Sequence, residues 1–402
     1  MKLPPWWKTK RELYRLYKQT LGVPGKIYDQ FLATPRHDLF ERHLVERFDG
    51  VVPRGDRVAI YLVFPSKGLL PSHKLAIKHL KECGYAPMVV SNLPLSGPDR
   101  AWLAQNTYKF LSRPNVGYDF GGYREGFLTL NNEIQHLSYL AFFNDSTWFP
   151  TPGSRDWLPQ AEALNVAYAA AASSFGTPHV DFDDFRSIEW KIDVNLRNFH
   201  YCSFALLVRK ELLHSGSFWR YWKFLPLTEK KNRVVRVGEI GMTKFVLRRG
   251  FTHGSTYDLT TLPDVLHGYS DEAVSRVARN LITLGHHEAN PLVESVDAAL
   301  DAQSSELERE DLIKLILTVS GRIGVAYVLP ELLHKHHGFS FLKKSPLALS
   351  QRDSNIAIEF GKTLESPNGR IIEHEMHQIR QKKGMIDASM ARSAPSKSPR
   401  EE

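Results

Sequence analysis

Apolar runs and helical periodicities alternate along the first two thirds of the chain. The segment GDRVAIYLVFP (55–65) is a short apolar run with a β-rich centre, which predicts a buried strand. SHKLAIKHLKECGY (72–85) follows with apolar residues at helical spacing, with Ser72 as the expected N-cap and Gly84 as the terminator. APMVVSN (86–92) then predicts a second strand. A strand, a helix and a strand that follow one another at this spacing along the chain form a βαβ unit, which implies a parallel sheet.

The same alternation continues to about residue 265, and helical patterns dominate beyond it. Further strands are predicted at 108–115, 137–145, 165–175 and at the start of 203–213. Further helices are predicted from Gly122 to about 132, at the end of 203–213, and over 238–251. The pattern therefore predicts an α/β fold with an open, mostly parallel sheet flanked by helices and a C-terminal α-helical extension. The expected divisions are a basic helical segment (1–50), an α/β domain (51–265), the helical extension (266–385) and a Ser/Pro-rich disordered tail (386–402).

Basic charge is concentrated at the start of the chain. The net charge is +8, and residues 1–36 alone hold eight Lys/Arg against Glu12 and Asp29. Aromatic residues are interleaved with these charges, at Trp6, Trp7, Tyr14 and Tyr17. Such a segment suits either contact with an anionic membrane face or a solvated basic helix. It carries no RNA-recognition motif, so nucleic acid is not an expected partner.

The remaining composition is typical of a globular protein in a reducing compartment. The longest apolar stretch, at 312–333, carries Lys314 and Arg322 and predicts a buried helix rather than a membrane span. The N-terminus lacks the apolar core of a signal peptide, so the expected location is cytoplasmic, with the cytoplasmic face of the inner membrane as the alternative. Cys83 and Cys202 each lie in an apolar stretch and are expected to be buried thiols.

Two polar segments follow predicted strands and are candidates for ligand binding. NVGYDFGGYREGFL (115–128) is rich in glycine, and FFNDS (142–146) ends an apolar strand. Ligands of open parallel sheets bind beyond the carboxyl ends of the strands. A glycine-rich turn that opens a helix offers N–H groups to phosphate, and a carboxylate at a strand end can hold Mg²⁺ or Mn²⁺. Together these segments predict a nucleotide-diphosphate site, while a tight strand-to-helix turn is the alternative explanation of the glycines.

These motifs carry a family resemblance. NVGYDFGGYREG, followed by a hydrophobic strand that ends in Asn-Asp-Ser, resembles the rhamnan synthesis protein F family, which consists of glycosyltransferases of bacterial surface polysaccharide assembly. Three later segments are also similar to that family: HYCSFALLVRKELLHSGSFWRYW (200–222), VGEIGMTKFVLRRGF (237–251) and HGFSFLKKSPL (337–347). The same order of motifs occurs in family 2 glycosyltransferases, so the resemblance implies a GT-A-like fold.

The resemblance also implies roles for individual residues. Asp145 corresponds to a ligand of Mg²⁺ or Mn²⁺, although its triplet supplies one carboxylate where the usual triplet supplies two. Glu239 corresponds to the acidic residue that starts a later helix, and is the first choice for the general base, with Asp193 and then Asp183 behind it. The expected substrate-binding residues are Asn115, Gly117, Tyr118, Asp119, Gly121, Gly122, Asn144, Ser146 and Arg209.

The resulting hypothesis is a nucleotide-sugar-dependent, inverting glycosyltransferase. The donor would be a nucleotide-diphosphate sugar, with rhamnose implied by the family, and the acceptor a lipid-linked or growing polysaccharide. One alternative is a non-catalytic sugar- or nucleotide-binding partner in polysaccharide assembly. Another is a nucleotidyltransferase, which is disfavoured because no basic triphosphate loop follows the first strand.

Other chemical motifs are weaker. DFDD (181–184) is an Asp-x-Asp sequence that competes for the metal role, but it is expected to be an exposed loop or a part of the acceptor side. GHHEAN (285–290) and HKHHGF (334–339) lack the His-Glu-x-x-His spacing that places two ligands on one helix face. A Gly-x-Ser-x-Gly elbow is absent, which argues against a serine hydrolase.

Overall fold

The computed structural model describes residues 33–301 and 308–393. Most of the predicted basic segment and residues 394–402 of the predicted tail lie outside these ranges. The described chain divides into two compact units, each built from three separate stretches. The first unit contains the described residues up to Gly68, Ala86–Phe142 and Val208–Phe245. The second contains Leu69–Tyr85, Phe143–Leu207 and the described residues from Val246 onward.

The strands form one large sheet and two small ones. In chain order the strands are β1 (Glu46–Asp49), β2 (Arg57–Val63), β3 (Ala86–Ser91), β4 (Lys109–Ser112), β5 (Tyr139–Asn144), β6 (Thr147–Trp148), β7 (Tyr168–Ala170), β8 (Ser173–Ser174), β9 (His200–Tyr201), β10 (Ala205–Arg209), β11 (His253–Ser255) and β12 (Leu342–Lys343). The large sheet has eight strands in the order β1-β4-β3-β2-β5-β10-β7-β11. The pairs β2–β3, β3–β4 and β7–β11 are parallel, whereas the edge strand β1 is antiparallel to β4.

Helices separate the strands and then dominate the C-terminal part of the chain. They are α1 (Ala33–Arg36), α2 (Pro71–Glu82), α3 (Gly97–Asn106), α4 (Tyr118–Leu130), α5 (Trp157–Ala163), α6 (Lys210–Leu213), α7 (Gly216–Lys223), α8 (Lys231–Val234), α9 (Gly241–Arg248), α10 (Leu262–His267), α11 (Asp271–Arg279), α12 (Ala289–Asp301), α13 (Arg309–Ile323), α14 (Val325–Val328), α15 (Pro330–His337), α16 (Pro346–Leu349), α17 (Gln351–Lys362) and α18 (Pro367–Ser393). The predicted α/β class with a mostly parallel sheet and C-terminal helices is confirmed. No helix within the described ranges is long and apolar enough to cross a membrane.

The core of the first unit is built on β2 and β3. After Arg57, every residue of β2 is buried, and so is every residue of β3. Strands that are buried on both faces have continuous apolar sequences, which is why these two were recognisable. Helix α4 packs against them through its glycines, since a Cβ at Gly126 would lie only 3.0 Å from the Ile60 side chain. An aromatic cluster continues this core, with Trp222 stacked on Phe127 and Phe142.

Two buried charges of α4 are paired with opposite charges inside the first unit. Arg124 donates to both carboxylate oxygens of Asp38, at 2.8 and 2.6 Å, and to two main-chain carbonyl oxygens. Glu125 accepts from Arg47 at 2.6 Å and from Arg42 at 3.3 Å. Both α4 side chains are about 1% exposed. Arg124 and Glu125 are therefore part of the folded interior, where the loss of either one's partner would leave an uncompensated buried charge.

In the second unit, a buried carboxylate joins the start of α2 to the C-terminal helices. Glu375 accepts hydrogen bonds from the Ser72 N–H and hydroxyl at 3.0 and 2.6 Å, and from the Trp148 indole at 2.8 Å. The expectation that Ser72 caps this helix is wrong, because the N-cap is Leu70 and the helix begins at Pro71. A proline is favoured at this first position because its missing N–H is not needed there.

Candidate functional site

The glycine-rich segment begins just after β4 and opens helix α4, as the sequence predicted. Gly117 is the N-cap of the helix and adopts a left-handed conformation with a φ of 78°. Tyr118 also has a positive φ, of 49°, and its side chain is 41% exposed. Asn115 is exposed, and Asp119 lies in the first turn, where a carboxylate favours the helix dipole. The helix starts at Tyr118 rather than at the predicted Gly122.

Close packing is sufficient to explain why residues 121 and 122 are glycines. A Cβ at Gly121 would lie 2.0 Å from the Val116 carbonyl oxygen. A Cβ at Gly122 would lie 2.3 Å from the Leu62 side chain. The same turn is held by Arg113, which donates to Val116 O at 2.5 Å and to the Asn92 side chain. The role of the two glycines in ligand binding stays a prediction, since the fold itself requires them.

Replacing Gly121 by Ala should lower the free energy of unfolding by about 1–3 kcal/mol, because the added methyl group meets a backbone carbonyl that cannot rotate away. Chemical denaturation of the purified variant measures this loss. Gly97→Ala is the matched control, because a Cβ at Gly97 has no neighbour within 4 Å. Unchanged stability together with lost nucleotide binding would instead show that Gly121 is needed for a ligand.

The first unit also contains Arg209 and Glu239. Arg209 is the last residue of β10, and its Nε lies 3.5 Å from the Glu211 carboxylate. Glu239 is partly buried and lies in a π-helical turn (Val235–Ile240). This turn joins α8 to α9. The prediction that Glu239 starts a helix is therefore wrong.

Two contacts hold the π-helical turn in place. The buried Tyr221 hydroxyl donates to the carbonyl oxygens of Val237 and Gly238, at 3.0 and 3.2 Å. Gly238 packs so closely on Phe120 that a Cβ would lie 2.4 Å from the ring. Single π-helical turns inside α-helices are frequent at functional sites, which is consistent with a role for Glu239.

In the second unit, the Asn144-Asp145-Ser146 triplet forms a turn closed by its own side chains. The Asn144 side-chain oxygen accepts from the Ser146 N–H at 3.2 Å and from the Ser146 hydroxyl at 2.5 Å. Asn144 is buried, so these contacts give it a structural function. Asp145 is 23% exposed, and its Oδ2 lies 3.4 Å from Nε2 of His73. The Leu70 N–H donates to Nδ1 of His73 at 3.2 Å, so the proton of the neutral ring is on Nε2, facing Asp145.

Two lysines adjoin the same turn. Strand β12 pairs with β6, with Lys343 opposite Thr147, and the Lys344 N–H donates to Ser146 O at 3.0 Å. The Lys343 ammonium lies 3.4 Å from the Ser146 hydroxyl and 4.1 Å from the centre of the Phe204 ring. Burial lowers the pKa of Lys344, although the carboxylates of Asp145 and Glu375 act in the opposite direction. Sequence reasoning missed His73, Lys343 and Lys344, although the two lysines lie in the HGFSFLKKSPL segment (337–347).

Asp145 is the one side chain of this turn that is suited to bind a divalent cation. Asp145 supplies one carboxylate, and Asn144 is occupied within the turn. The remaining ligands of Mg²⁺ or Mn²⁺ would then be phosphate oxygens and water, which both ions accept. The neighbouring lysine ammonium groups offer additional positive charge to a phosphate without a metal.

The other candidate motifs lie elsewhere in the second unit. Asp193 lies in a loop, where its carboxylate accepts from the Asn195 N–H at 2.8 Å. Asp183 lies on a short 3₁₀ helix (Phe182–Ser187) and is exposed, as the sequence predicted for DFDD. In the described ranges, neither histidine-rich segment contributes to a group of three close metal-ligating atoms.

A cavity of about 320 Å³ lies among the C-terminal helices of the second unit. Its wall includes Arg276, Glu331, Lys335, Glu359 and Phe360. None of the predicted site residues lines this cavity, so the cavity is not the predicted substrate-binding site.

The fold and these turns define an α/β protein whose candidate ligand segments follow the carboxyl ends of two strands of its sheet. Residues 88–282 match the family described as "RgpF: Rhamnan synthesis protein F". The match confirms the resemblance predicted from NVGYDFGGYREG, and every predicted site residue, from Asn115 to Glu239, lies within it.

The chain is also similar to a bacterial protein of unstated function. It is 28% identical over 255 residues to "Uncharacterized protein y4gN" of Sinorhizobium fredii. The alignment covers 62% of this chain and 61% of the relative, so the chain spans about three fifths of the length of that protein.

Two solved structures show weaker similarity. Core-mannan synthase A from Aspergillus fumigatus, in its Mn/GDP form, is 10% identical, with a TM-score of 0.31 over 52% of this chain and 74% of that chain. The mannosyltransferase PcManGT from Pyrobaculum calidifontis, in complex with GDP-Man and Mn²⁺, is 11% identical, with a TM-score of 0.29 over 91% and 97% of the two chains. These scores are too low to assign any residue or ligand to this chain.

Proposed function

We propose that the protein is a glycosyltransferase that moves a sugar from a nucleotide-diphosphate donor to a lipid-linked or polysaccharide acceptor. The observation that carries this proposal is the family match over residues 88–282, which contains both NVGYDFGGY and the Asn-Asp-Ser turn. The name of the family, rhamnan synthesis, makes activated rhamnose the first donor to test. A lipid-linked acceptor would also give the basic residues 1–36 a function in docking to the membrane surface.

The proposed reaction needs positive charge where the diphosphate leaves. As the bond between the anomeric carbon and the diphosphate oxygen breaks, negative charge builds on the leaving group. In the second unit, the ammonium group of Lys343 beside Ser146 would bind this charge, supported by Lys344. A divalent cation bound through Asp145 would supply further charge neutralisation.

The reaction also needs a proton acceptor for the attacking hydroxyl. Glu239 would take the proton of the acceptor hydroxyl while that oxygen forms its bond to the anomeric carbon. Attack from the side opposite to the leaving diphosphate inverts the configuration at this carbon. We therefore propose an inverting mechanism with Glu239 as the base, and Asp193 and then Asp183 as the next candidates.

A nucleotide-sugar screen tests the proposed function. The purified full chain is incubated with a panel of nucleotide sugars and a saccharide acceptor, with Mg²⁺, with Mn²⁺ and with a chelator. The expected result is release of nucleoside diphosphate with at least one donor, and a product whose anomeric configuration, measured by NMR, is inverted. A product with retained configuration would contradict the role of Glu239 as a base.

One observation favours the non-catalytic alternative. The only carboxylate of the Asn144-Asp145-Ser146 turn is Asp145, and Asn144 is hydrogen-bonded within the turn. A protein that holds a nucleotide sugar without transferring it would need no stronger metal site. Saturable binding of a nucleotide sugar with no turnover under any metal condition would favour this alternative over catalysis.

Replacing Lys343 by Met should weaken the binding of a nucleoside diphosphate by about 10–100-fold, the usual effect of losing a hydrogen bond to a charged group. Methionine keeps an unbranched apolar side chain of similar length and removes the ammonium group, which lies 4.1 Å from the centre of the Phe204 ring. Calorimetric titration in the presence of a chelator measures the effect without a contribution from metal. Lys335→Met is the control, because Lys335 is exposed and pairs with Glu331. Equal affinity of the two variants would exclude Lys343 from diphosphate binding.

A further inference from the structure

Three metal-ligating side chains of the second unit meet at the end of α2. His79 lies in the last turn of this helix and Cys83 is its C-cap, so the two are four residues apart and share one helix face. Asp156 is the N-cap residue of α5. Aspartate at this position usually accepts a hydrogen bond from the helix, but the Asp156 side chain makes no capping hydrogen bond. Its carboxylate lies near His79 instead.

The distances between these side chains suit tetrahedral coordination. Nε2 of His79 lies 3.5 Å from the Cys83 sulfur and 3.7 Å from Oδ1 of Asp156. All three ligand atoms lie within 4.8 Å of one another. With zinc–sulfur bonds of about 2.3 Å and zinc–nitrogen bonds of about 2.0–2.1 Å, tetrahedral ligands are roughly 3.6 Å apart. The side chains therefore need little movement to surround one ion.

The surroundings of the His79 imidazole restrict its orientation. Its Nδ1 lies 3.9 Å from the Glu82 carboxylate, on the side of the ring away from Cys83 and Asp156. This separation is longer than a hydrogen bond, so Glu82 would move closer to form the outer carboxylate contact that is usual in zinc sites. The ring also packs edge-on against Phe149, with centroids 5.1 Å apart. Only 11% of the His79 side chain is exposed, which limits its alternative orientations.

The surroundings of the sulfur are negatively charged. The carboxylates of Asp156, Glu82 and Glu162 all act electrostatically on the Cys83 sulfur. A divalent cation would neutralise this cluster of carboxylates and stabilise the thiolate, whose proton would pass to solvent. Asp156 is 64% exposed, so an ion could enter from its side.

We propose that His79, Cys83 and Asp156 bind a zinc ion, with water as the fourth ligand. A set of thiolate, imidazole and carboxylate selects Zn²⁺ over Mg²⁺ and Mn²⁺, which prefer oxygen ligands. This ion is separate from the cation proposed at Asp145, and the inference does not depend on sugar transfer. Bound zinc would fix the C-terminal end of α2 to the start of α5.

Cobalt substitution tests the site, because a cobalt ion bound to a thiolate gives a sulfur-to-metal charge-transfer absorption that histidines alone cannot produce. The full chain, stripped with a chelator, is titrated with Co²⁺ and then with Zn²⁺. The expected result is one equivalent of cobalt with this absorption, displaced by zinc, and a higher melting temperature in zinc. Absence of the charge-transfer absorption in the wild-type protein would overturn the proposal.

Single substitutions identify the ligands. Cys83→Ser should remove the charge-transfer absorption, and Asp156→Asn, at an exposed position, should weaken zinc binding at least tenfold. Glu82→Gln should weaken it about 10–100-fold through its effect on His79. Cys202→Ser is the matched control, because Cys202 is the other free thiol and is buried. Loss of the absorption in Cys202→Ser, or its retention in Cys83→Ser, would refute the assignment. Asp145→Asn should leave zinc binding unchanged, which separates this site from the proposed transferase chemistry.

Discussion

Replacing Asp145 by Asn should reduce sugar transfer on the order of 10³-fold or more while the protein remains folded. The substitution keeps the size of the side chain but removes the only carboxylate of the Asn144-Asp145-Ser146 turn. Loss of a charge that holds a catalytic cation costs several kcal/mol of transition-state stabilisation, and each 1.4 kcal/mol is about a factor of ten in rate. Steady-state turnover with saturating Mn²⁺ or Mg²⁺ measures the effect.

Two comparisons make the result for Asp145 interpretable. Asp183→Asn removes a carboxylate of the competing DFDD sequence, which is exposed on its 3₁₀ helix, and should retain activity. Thermal unfolding of Asp145→Asn should show at most a modest loss, because Lys344 keeps Glu375 as a second nearby carboxylate. Near wild-type turnover of Asp145→Asn would exclude this residue from catalysis. Loss of activity in Asp183→Asn alone would move the metal role to DFDD if excess Mn²⁺ restores turnover, and the role of the base to Asp183 if it does not.

The elements that the sequence predicted are those whose burial leaves a continuous or periodic apolar pattern. Strands β2, β3 and β10 are almost completely buried, and each was recognisable as an apolar run. The edge strand β1 was missed because its sequence, ERFD, is mostly exposed and charged. Strand β12 was missed because it has two residues and depends on pairing with β6, far away in the sequence.

The same distinction applies to the site residues. The position of the glycine-rich turn after β4 follows from local sequence, and so does the turn after β5. The contact of His73 with Asp145 depends on tertiary structure, as does the contact of Lys343 with Ser146. The environment of Glu239 was misjudged because the predicted helix began at residue 238, whereas Gly238 lies within a continuous helical segment and packs closely on Phe120.

This difference in environment changes what a substitution of Glu239 can show. Because Glu239 lies within a helical segment, a change in its charge does not act on a helix N-terminus. The remaining structural explanation is a side-chain contact that stabilises the π-helical turn. A general base, in contrast, must accept a proton in the transition state, and its removal affects the rate rather than the fold.

Replacing Glu239 by Gln should lower turnover by roughly 10²–10⁴-fold, the usual contribution of a positioned acid or base. Glutamine keeps the shape and hydrogen-bonding reach of the side chain, so the affinity for the donor nucleotide and the melting temperature should change little. Turnover, nucleotide affinity and thermal unfolding are measured on the same preparation. Glu229→Gln, at an exposed position of the same unit, is the control and should behave as wild type. If Glu239→Gln loses stability but retains its rate, the residue is structural, and Asp193→Asn and Asp183→Asn become the next tests for the base.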